Sequence, residues 1–247
     1  MVSGSEGPPA PSPAWAYFFD VDGTLADLAP TPAEVRVEAG TIARLLQLYH
    51  ASEGAVALVS GRSIDDVDSM FHLPALPIAG QHGLERRNAL GTVRRFEPDG
   101  RALDRARDAL SAVVMRHPEL LLEDKGLTLA LHYRGAPLLA SFAHRTMTAL
   151  CVALGSGFTV QGGKRVVELK PAGTDKGSAV LAFMQENPFR RRTAVYVGDD
   201  ATDEHAFAVV NALGGYSVKV GIGATTARWR LGSVAAVRTW MEQGEAA

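Results

Sequence analysis

Residues 16–25 read Ala16-Tyr17-Phe18-Phe19-Asp20-Val21-Asp22-Gly23-Thr24-Leu25, a short apolar run that passes directly into acidic and small residues. The apolar run predicts a buried strand, and the polar residues after it predict a turn with glycine at its centre. Two carboxylates at a strand end can converge on one point. Asp20 and Asp22 are therefore candidates for a metal site, for a nucleophile with its acid–base partner, or for both. A group of acids that caps the next helix is the simpler alternative.

The combination of an apolar strand and a polar turn recurs along the chain. Residues 56–59 form a second apolar run that ends in Ser60-Gly61-Arg62, and residues 193–197 form a third that ends in Gly198-Asp199-Asp200. An amphipathic helix is predicted between the first two runs, because apolar side chains follow the i, i+3, i+4, i+7 spacing at Ile42, Leu45, Leu46 and Tyr49. Strand, helix and strand in this order predict a parallel sheet whose carboxyl edge gathers the polar groups.

Residues 88–165 follow a different pattern. Helical spacing of apolar residues predicts one helix near 103–114 and another near 139–154, while residues 127–133 alternate like a half-exposed strand. Gly162-Gly163 separates two further strand-like stretches and predicts a hairpin turn. These features predict a small α+β unit whose two connections act as hinges.

The expected fold class is α/β, with a Rossmann-like parallel-sheet core that carries helices on both faces. We expect this core at residues 15–87 and 166–247, interrupted by the α+β unit at residues 88–165. Residues 1–14 are rich in Gly, Pro and Ser and lack the basic start of a secretory signal, so we expect a disordered leader.

Composition limits the classes of function. The 247 residues are 47% hydrophobic and 21% charged, and the net charge of −2 gives no bulk attraction to nucleic acid or to an anionic membrane. The single cysteine, Cys151, cannot form an intrachain disulfide, and no apolar run approaches the ~18 residues of a membrane span. We therefore expect a cytoplasmic protein, and the absence of a heptad pattern favours a monomer.

Two further groups of charged residues accompany the strand ends. Lys176, in a segment that runs from Gly173 to Gly177, could neutralise negative charge at the sheet edge, and Lys170 is the alternative for that role. Four acids fall within six residues: Asp199, Asp200, Asp203 and Glu204. Their mutual repulsion favours a bound cation, for which Mg²⁺ is suited because it prefers hard oxygen ligands. A helix N-terminus, where acids are also favoured, is the alternative.

Taken in this order, the four strings resemble the four motifs of the haloacid-dehalogenase (HAD) superfamily. The string Gly198-Asp199-Asp200-Ala201-Thr202-Asp203-Glu204 resembles the fourth motif as trehalose-6-phosphate phosphatases carry it. The middle unit lies between the second and third motifs, which is the position of the inserted C2B-type cap in that family. The resemblance covers the chain from about residue 16 onward.

The resemblance implies a Mg²⁺-dependent phosphatase. Asp20 would attack phosphorus to form an aspartyl-phosphate, and Asp22 would protonate the leaving sugar oxygen and then deprotonate the attacking water. Ser60 and Lys176 would hold the phosphoryl oxygens. The metal ligands implied are Asp20, the backbone carbonyl of Asp22, and Asp199, with Asp200 or Asp203 reached through water.

The resemblance also implies a sugar-phosphate substrate that is bound by polar residues of the cap. Carboxylates and amines make directional hydrogen bonds to the many hydroxyls of a disaccharide. The implied substrate-binding residues are Gly61, Arg62, His82, Glu123, Lys125, His132, Arg134, Glu168 and Lys170. The alternative for Glu123 and Lys125 is a surface ion pair of little energetic weight, and an isolated histidine such as His132 is more often packed or exposed to solvent.

Other functions share these motifs. A related phosphatase for sucrose or mannosyl phosphates, and a phosphotransferase that passes the phosphoryl group to another hydroxyl, would carry the same four strings. A catalytically silent sugar-phosphate sensor would be expected to have lost the nucleophile or a metal ligand, whereas Asp20, Asp22 and Asp199 are all present.

Overall fold

The computed structural model describes residues 7–96 and 100–246 and divides the chain into two compact units. The larger unit contains the residues up to Arg94 and those from Asp175 onward, and the smaller unit spans Arg95–Thr174. An inserted second unit is therefore observed, as the sequence predicts.

The strands and helices of the described residues are numbered in chain order. The strands are β1 (Trp15–Phe19), β2 (Val56–Val59), β3 (Ile78–Gly80), β4 (Glu85–Arg87), β5 (Val93–Arg95), β6 (Leu121–Asp124), β7 (Leu129–His132), β8 (Phe158–Gly163), β9 (Val166–Pro171), β10 (Thr193–Gly198), β11 (Tyr216–Val220) and β12 (Trp229–Leu231). The helices are α1 (Ala39–Ala51), α2 (Ile64–Phe71), α3 (Gly100–Arg116), α4 (Ala140–Leu154), α5 (Lys176–Met184), α6 (Glu204–Ala212) and α7 (Val234–Glu242).

The larger unit is built on one sheet with the strand order β12-β11-β10-β1-β2-β3-β4-β5. The pairs from β12 to β3 are parallel, and β4 runs antiparallel to β3. Strand β1 lies between β10 and β2, with Phe19 opposite Val197 on one side and Leu58 on the other. The carboxyl ends of these three strands therefore lie side by side, which places the residues that follow them at one edge.

Helices cover both faces of this sheet because both faces are apolar. Tyr17 and Phe19 of β1 belong to a core cluster with side chains of α1, α2 and α7. Phe18, between them in sequence, points to the other face and packs with side chains of α5 and α6. A strand buried on both faces reads as a continuous apolar run, so this architecture could be predicted from the sequence and is confirmed.

The smaller unit is an antiparallel sheet of order β6-β7-β9-β8 with α3 and α4 packed on one face. Its core includes Leu129 and Leu131 of β7 and Leu169 of β9. The predicted alternation places Leu129 and Leu131 on the core face, but the half-exposed strand expected at residues 127–133 is wrong, because Thr128 and Ala130 on the other face are also fully buried.

Two details of the smaller unit differ from the sequence-based expectation. The β8–β9 hairpin turns at Lys164-Arg165, since Gly163 pairs with Val166, and the predicted turn residues Gly162 and Gly163 lie inside β8. Strand β9 pairs with β7 and β8, so the boundary expected at residue 165 is wrong and the smaller unit continues to Thr174. The boundary expected at residue 88 is wrong as well, because the smaller unit begins at Arg95. The glycines misled the prediction because Arg165 adopts the left-handed conformation, with φ 61°, without being glycine.

The predicted disordered leader is wrong for residues 7–14, while residues 1–6 lie outside the described part of the chain. Pro9 accepts a hydrogen bond from the indole Nε1 of Trp240 (2.8 Å), and Pro13 accepts one from Arg192 (2.6 Å). Ser12 accepts a hydrogen bond from the hydroxyl of Tyr17 (2.8 Å). These contacts to the folded unit hold a segment whose composition alone resembles a linker.

One helical stretch in the described residues, Pro137–Leu154, is long and apolar enough to cross a bilayer by length and composition. Ala143 and Met147 of this stretch are buried in the core of the smaller unit, and Phe142 and Leu150 pack against the same core. Packing on the antiparallel sheet accounts for one face of this stretch, while Leu138 and Val152 are exposed.

The central strand should be the most sensitive part of the larger unit. Phe18 is fully buried, with its ring centroid 5.4 Å from that of Phe189 and 6.0 Å from that of Phe183. We expect Phe18→Ala to lower the free energy of unfolding by about 3–5 kcal/mol, because the truncation leaves a cavity. Leu90→Ala, at an exposed position, is the control and should change it by less than about 0.5 kcal/mol. Denaturant unfolding measures both, and a loss below about 1 kcal/mol at Phe18 would contradict the packing described.

Candidate active site

Asp20 lies at the carboxyl end of β1, where the neighbouring strands also end. Its backbone N–H donates to Val197 O (2.9 Å), which continues the β1–β10 ladder by one residue. Its side chain is buried, and Oδ1 lies 2.8 Å from Nζ of Lys176. A buried aspartate with an ammonium group beside it is therefore positioned at the edge that the sequence predicts.

Lys176 reaches Asp20 because helix α5 begins at that residue. Asp175 caps the helix, accepting a hydrogen bond from Ser178 N (2.7 Å), and the Ser178 hydroxyl in turn accepts one from Asp175 N. The lysine side chain is almost fully buried. The alternative, Lys170, lies in the smaller unit, and its Nζ donates to the carbonyl of Thr174. The structure thus places Lys176 rather than Lys170 beside Asp20.

Asp203 accepts four hydrogen bonds and has no exposed surface. Oδ1 accepts from Lys176 Nζ (2.7 Å) and from the Tyr196 hydroxyl (2.7 Å). Oδ2 accepts from the backbone N–H groups of Asp199 and Asp200, both at 2.8 Å. Asp203 therefore fixes the loop after β10 and orients the lysine, which goes beyond the helix-start role that its sequence position suggested.

Burial and neighbouring charges shift the pKa values of Asp20, Asp203 and Lys176 in different ways. Burial raises the pKa of Asp20 well above its usual range; the charge of Lys176 opposes this, and the nearby carboxylates of Asp203 and Asp199 add to it. Burial would also raise the pKa of Asp203, but Lys176 and the hydrogen-bond donors more than offset it and hold that pKa below its usual value. Burial opposes the charge of Lys176, yet the two carboxylates raise the pKa of its ammonium group. The lysine is thus charged at any physiological pH.

The donor set suits a divalent cation. Asp20, Asp199 and Asp203, all buried, each offer a carboxylate oxygen, and these oxygens lie within 4.8 Å of one another. Gly23 permits this approach: at φ +83° it tolerates a left-handed turn, and a Cβ there would lie 2.1 Å from Oδ2 of Asp199. Hard oxygen donors at this spacing fit a divalent metal, and a bound cation would lower the pKa of Asp20.

Two of the predicted metal-site residues direct their carboxylates elsewhere. Oδ1 of Asp200 accepts a hydrogen bond from Ala201 N (2.8 Å), so this side chain caps the short helical turn that follows. The carboxylate of Asp22 is bound by the guanidinium of Arg62, with Nε and Nη2 each 2.7 Å from an oxygen. The Asp22 carboxylate therefore lies outside the group that Asp20 forms with Asp199 and Asp203, and the ligand that the resemblance implies at Asp22 is its backbone carbonyl.

The turn after β2 lies against a strained segment, residues 81–82. The Ser60 hydroxyl accepts a hydrogen bond from Arg62 N (3.1 Å), and Ser60 O accepts one from His82 N (2.9 Å). Gly61 leaves room for the His82 ring, because a Cβ there would lie 2.9 Å from two ring atoms. Gln81 and His82 adopt left-handed conformations, with φ 47° and 57°, a costly backbone that is held by its surroundings.

Sequence reasoning missed three residues of this region. Tyr196 donates to Asp203, the backbone N–H of Gln81 donates to the carbonyl of Arg62 (2.8 Å), and Lys219 donates from β11 to the backbone carbonyl of Asp199. A signal for Lys219 was present, because a lysine inside an otherwise buried strand must find an acceptor. No comparable signal marks Tyr196, whose ring packs like any core aromatic.

The polar residues of the smaller unit lie on the face of its sheet opposite the helices. Glu123 and Glu168 both pair with Ala130 across the sheet, so they share a face, and His132 lies two residues from Ala130 on that face. Nε2 of His132 is 2.7 Å from Oε2 of Glu123. Arg134 is half-buried in the turn that follows β7.

The same face carries a second ion pair. Lys125 Nζ is 3.5 Å from Oε1 of Glu168, and the same oxygen accepts a hydrogen bond from the fully buried hydroxyl of Thr128, a partner that the sequence did not reveal. Burial raises the pKa of Glu123, but the hydrogen bond from His132 and the charge of Lys125 outweigh it, so the pKa is lowered. Glu123 and Lys125 thus belong to a half-buried polar network, in contrast to the surface pair considered as an alternative.

Removing the charge of Asp203 should weaken the whole site. In Asp203→Asn an amide NH₂ would face donors that now meet an oxygen, and the buried Lys176 would lose a counter-charge. We expect a loss of about 3 kcal/mol or more in the free energy of unfolding. Asp200→Asn is the stability control and should cost under about 0.5 kcal/mol, because asparagine caps a helix as well as aspartate does. Thermal and denaturant unfolding measure both changes. Equal losses of unfolding free energy in the two variants would contradict the role assigned to Asp203.

Comparison with known proteins shows the family of the chain. The family model described as trehalose-phosphatase matches residues 18–234. The chain is 46% identical over 235 residues to the trehalose-6-phosphate phosphatase of Escherichia coli (strain K12), covering 95% of this chain and 88% of that protein.

Solved structures agree on the fold. The C-terminal domain of Candida albicans trehalose-6-phosphate phosphatase superimposes with a TM-score of 0.84 at 21% identity, covering 96% of this chain and 93% of that one. A haloacid dehalogenase-like hydrolase from Bacteroides thetaiotaomicron gives a TM-score of 0.67 at 14% identity, covering 93% and 98%. The resemblance inferred from the motifs is confirmed, and the chain belongs to the trehalose-phosphatase family, with the HAD fold.

Proposed function

We propose that the protein hydrolyses trehalose 6-phosphate to trehalose and phosphate, with Mg²⁺ and through an aspartyl-phosphate on Asp20. The observation that carries this is the buried Asp20 carboxylate, held 2.8 Å from Lys176 within a cluster of three acids. Family membership and the 46% identical relative support the substrate.

In the first half of the reaction, an oxygen of Asp20 attacks phosphorus and the bond from phosphorus to the sugar oxygen breaks. Asp22 gives a proton to that leaving oxygen. In the second half, a water attacks phosphorus, Asp22 takes a proton from it, and the bond between phosphorus and Asp20 breaks. Phosphate leaves, and the Asp20 carboxylate is restored for the next cycle.

Asp20 and Asp199, with the backbone carbonyl of Asp22, would hold the Mg²⁺ ion, which supplies positive charge beside the phosphoryl group. Both oxygens of Asp203 are already engaged by four donors, so this residue would reach the ion through water, and so would Asp200. Lys219, which donates to the carbonyl of Asp199, holds that ligand in place.

The phosphoryl oxygens would meet the Ser60 hydroxyl, the backbone N–H of Gly61 and the ammonium of Lys176. The strained turn at His82 backs Gly61 and keeps this binding turn rigid. Because charge on the transferring group is spread over its oxygens, fixed donors of this kind stabilise the transition state most.

We propose that the polar face of the smaller unit recognises the sugar and acts as the cap. Glu123, Lys125, His132 and Glu168 already form a hydrogen-bonded network there, and Arg134 and Lys170 would extend it. A disaccharide offers hydroxyls that both donate and accept, so it can join such a network in place of water. A phosphatase for another sugar phosphate remains the second candidate, since the residues around Asp20 are common to both.

Asp20→Asn should lower phosphate release from trehalose 6-phosphate by roughly four orders of magnitude or more, because the nucleophile is lost. Removal of Mg²⁺ with a chelator should abolish wild-type turnover, and added Mg²⁺ should restore it. Asp27→Asn, at an exposed position in the same loop, is the matched control and should keep wild-type rates. Substantial activity of Asp20→Asn, with the fold shown intact by circular dichroism, would refute the mechanism.

Glu123→Ala should lower kcat/KM for trehalose 6-phosphate by about 10- to 100-fold, the worth of a charged hydrogen bond. A small aryl phosphate should be affected far less, since it has no hydroxyls for this face to bind. Asp124→Ala is the control, because the next residue on the strand pairs instead with Arg107. Equal losses of kcat/KM on both substrates would show that the cap role is wrong. Equal wild-type rates on sucrose and trehalose phosphates would contradict the proposed substrate specificity but not the mechanism.

A further inference from the structure

The guanidinium of Arg62 binds the carboxylate of Asp22 through two parallel hydrogen bonds. Arg62 Nε lies 2.7 Å from Asp22 Oδ2, and Nη2 lies 2.7 Å from Oδ1. The arginine side chain is 13% exposed and the aspartate side chain 31%, so the pair is partly shielded from water. A planar fork that matches both carboxylate oxygens fixes the rotation of the carboxylate as well as its position.

Arg62 itself is held at several points. Its backbone N–H donates to the Ser60 hydroxyl (3.1 Å), and its carbonyl accepts from Gln81 N (2.8 Å). A further guanidinium bond runs from Nη2 to the carbonyl of Pro32 (2.9 Å). The guanidinium therefore has a defined place, set by the same turn that carries Ser60.

Asp22 needs such support because it sits on a tight turn at a half-exposed position. Its backbone bridges to Ala26, and Gly23 N donates to Ala26 O (2.7 Å), which closes the loop but leaves the side-chain torsions to be fixed by contacts. A carboxylate has about four lone-pair sites, so two bonds from Arg62 leave sites for a leaving oxygen or a water.

Given the proposed function, in which Asp22 exchanges a proton with the leaving group and with water, we propose that Arg62 is a positioning residue that acts through Asp22. This differs from the substrate-binding role that the motif suggested for Arg62. Proton transfer falls steeply with misplacement of the acid or base, so loss of the fork lowers turnover without weakening substrate binding. In the first half of the reaction the effect is confined to substrates whose leaving oxygen needs a proton, whereas the water step of the second half is common to all substrates.

A double-mutant cycle with Arg62→Ala and Asp22→Asn tests this. On trehalose 6-phosphate each single variant should lose about 10²-fold in kcat with KM changed by less than about threefold, and the double variant should be no slower than Asp22→Asn. On an aryl phosphate with an acidic phenol as leaving group, Arg62→Ala should lose far less in the first-turnover rate of phenol release, which precedes the water step. Arg36→Ala is the control, since that exposed guanidinium bonds only to carbonyls of its own loop in the contacts described.

Rescue of Arg62→Ala by free guanidinium ions provides a second readout, which a purely structural role of Arg62 would not give. Millimolar guanidinium should raise kcat of Arg62→Ala on trehalose 6-phosphate and leave the double variant unchanged. Arg62→Lys, which keeps the charge but lacks the fork, should lie between wild type and Arg62→Ala. If Arg62→Ala does not fold, the cycle is run with Arg62→Lys.

The outcomes separate this role from the proposed function. Additive losses in the double variant, an effect on KM alone, or equal losses on both substrates in the first-turnover rate of leaving-group release would show that Arg62 binds the phosphoryl group, and would overturn the positioning role. An Asp22→Asn variant with wild-type kcat would instead contradict the proposed acid–base role of Asp22. Wild-type inactivity on trehalose 6-phosphate would contradict the proposed substrate.

Discussion

The larger unit is organised around one buried ammonium group between two buried carboxylates. Lys176 lies 2.8 Å from Asp20 and 2.7 Å from Asp203, and all three side chains are almost free of solvent. Burying such charges is costly unless every one is paired and hydrogen-bonded. The start of α5, the loop after β10 and the hydroxyl of Tyr196 are therefore all constrained to satisfy this cluster, and the position of the Asp20 carboxylate follows from them.

The parts of the fold that the sequence predicted well are those where burial alone determines the residue pattern. Strand β2 occupies the predicted residues 56–59, and β1 and β10 each differ from the prediction by one residue, because a strand covered on both faces must be apolar throughout. The carboxyl-edge location of Asp20, Ser60 and Asp199 then follows from parallel pairing. Which lysine faces Asp20 could not be read in the same way, since it depends on where a helix begins.

The features that the sequence did not predict depend on contacts between distant residues. The rotation of the Asp22 carboxylate is set by Arg62, forty residues away in the chain. The order of residues 7–14 depends on Trp240 and Arg192, which composition cannot foresee. The hairpin turn was misplaced because a glycine pair is a strong local signal, whereas the register of β8 and β9 is fixed by burial of Val167 and Leu169.

The polar face of the smaller unit shows how recognition can be built at low cost to stability. Its acids are satisfied without a ligand, because His132 and Lys125 lie on the same sheet face as Glu123 and Glu168. A polyhydroxylated ligand can replace these hydrogen bonds with others of similar strength, so the exchange costs little free energy. A ligand without hydroxyls would cover these pairs without replacing the hydrogen bonds that their remaining polar sites make to water, and that penalty would discriminate more strongly than an added apolar contact. In the proposed cap role, selectivity on this face would derive from the hydrogen bonds that a wrong ligand fails to make.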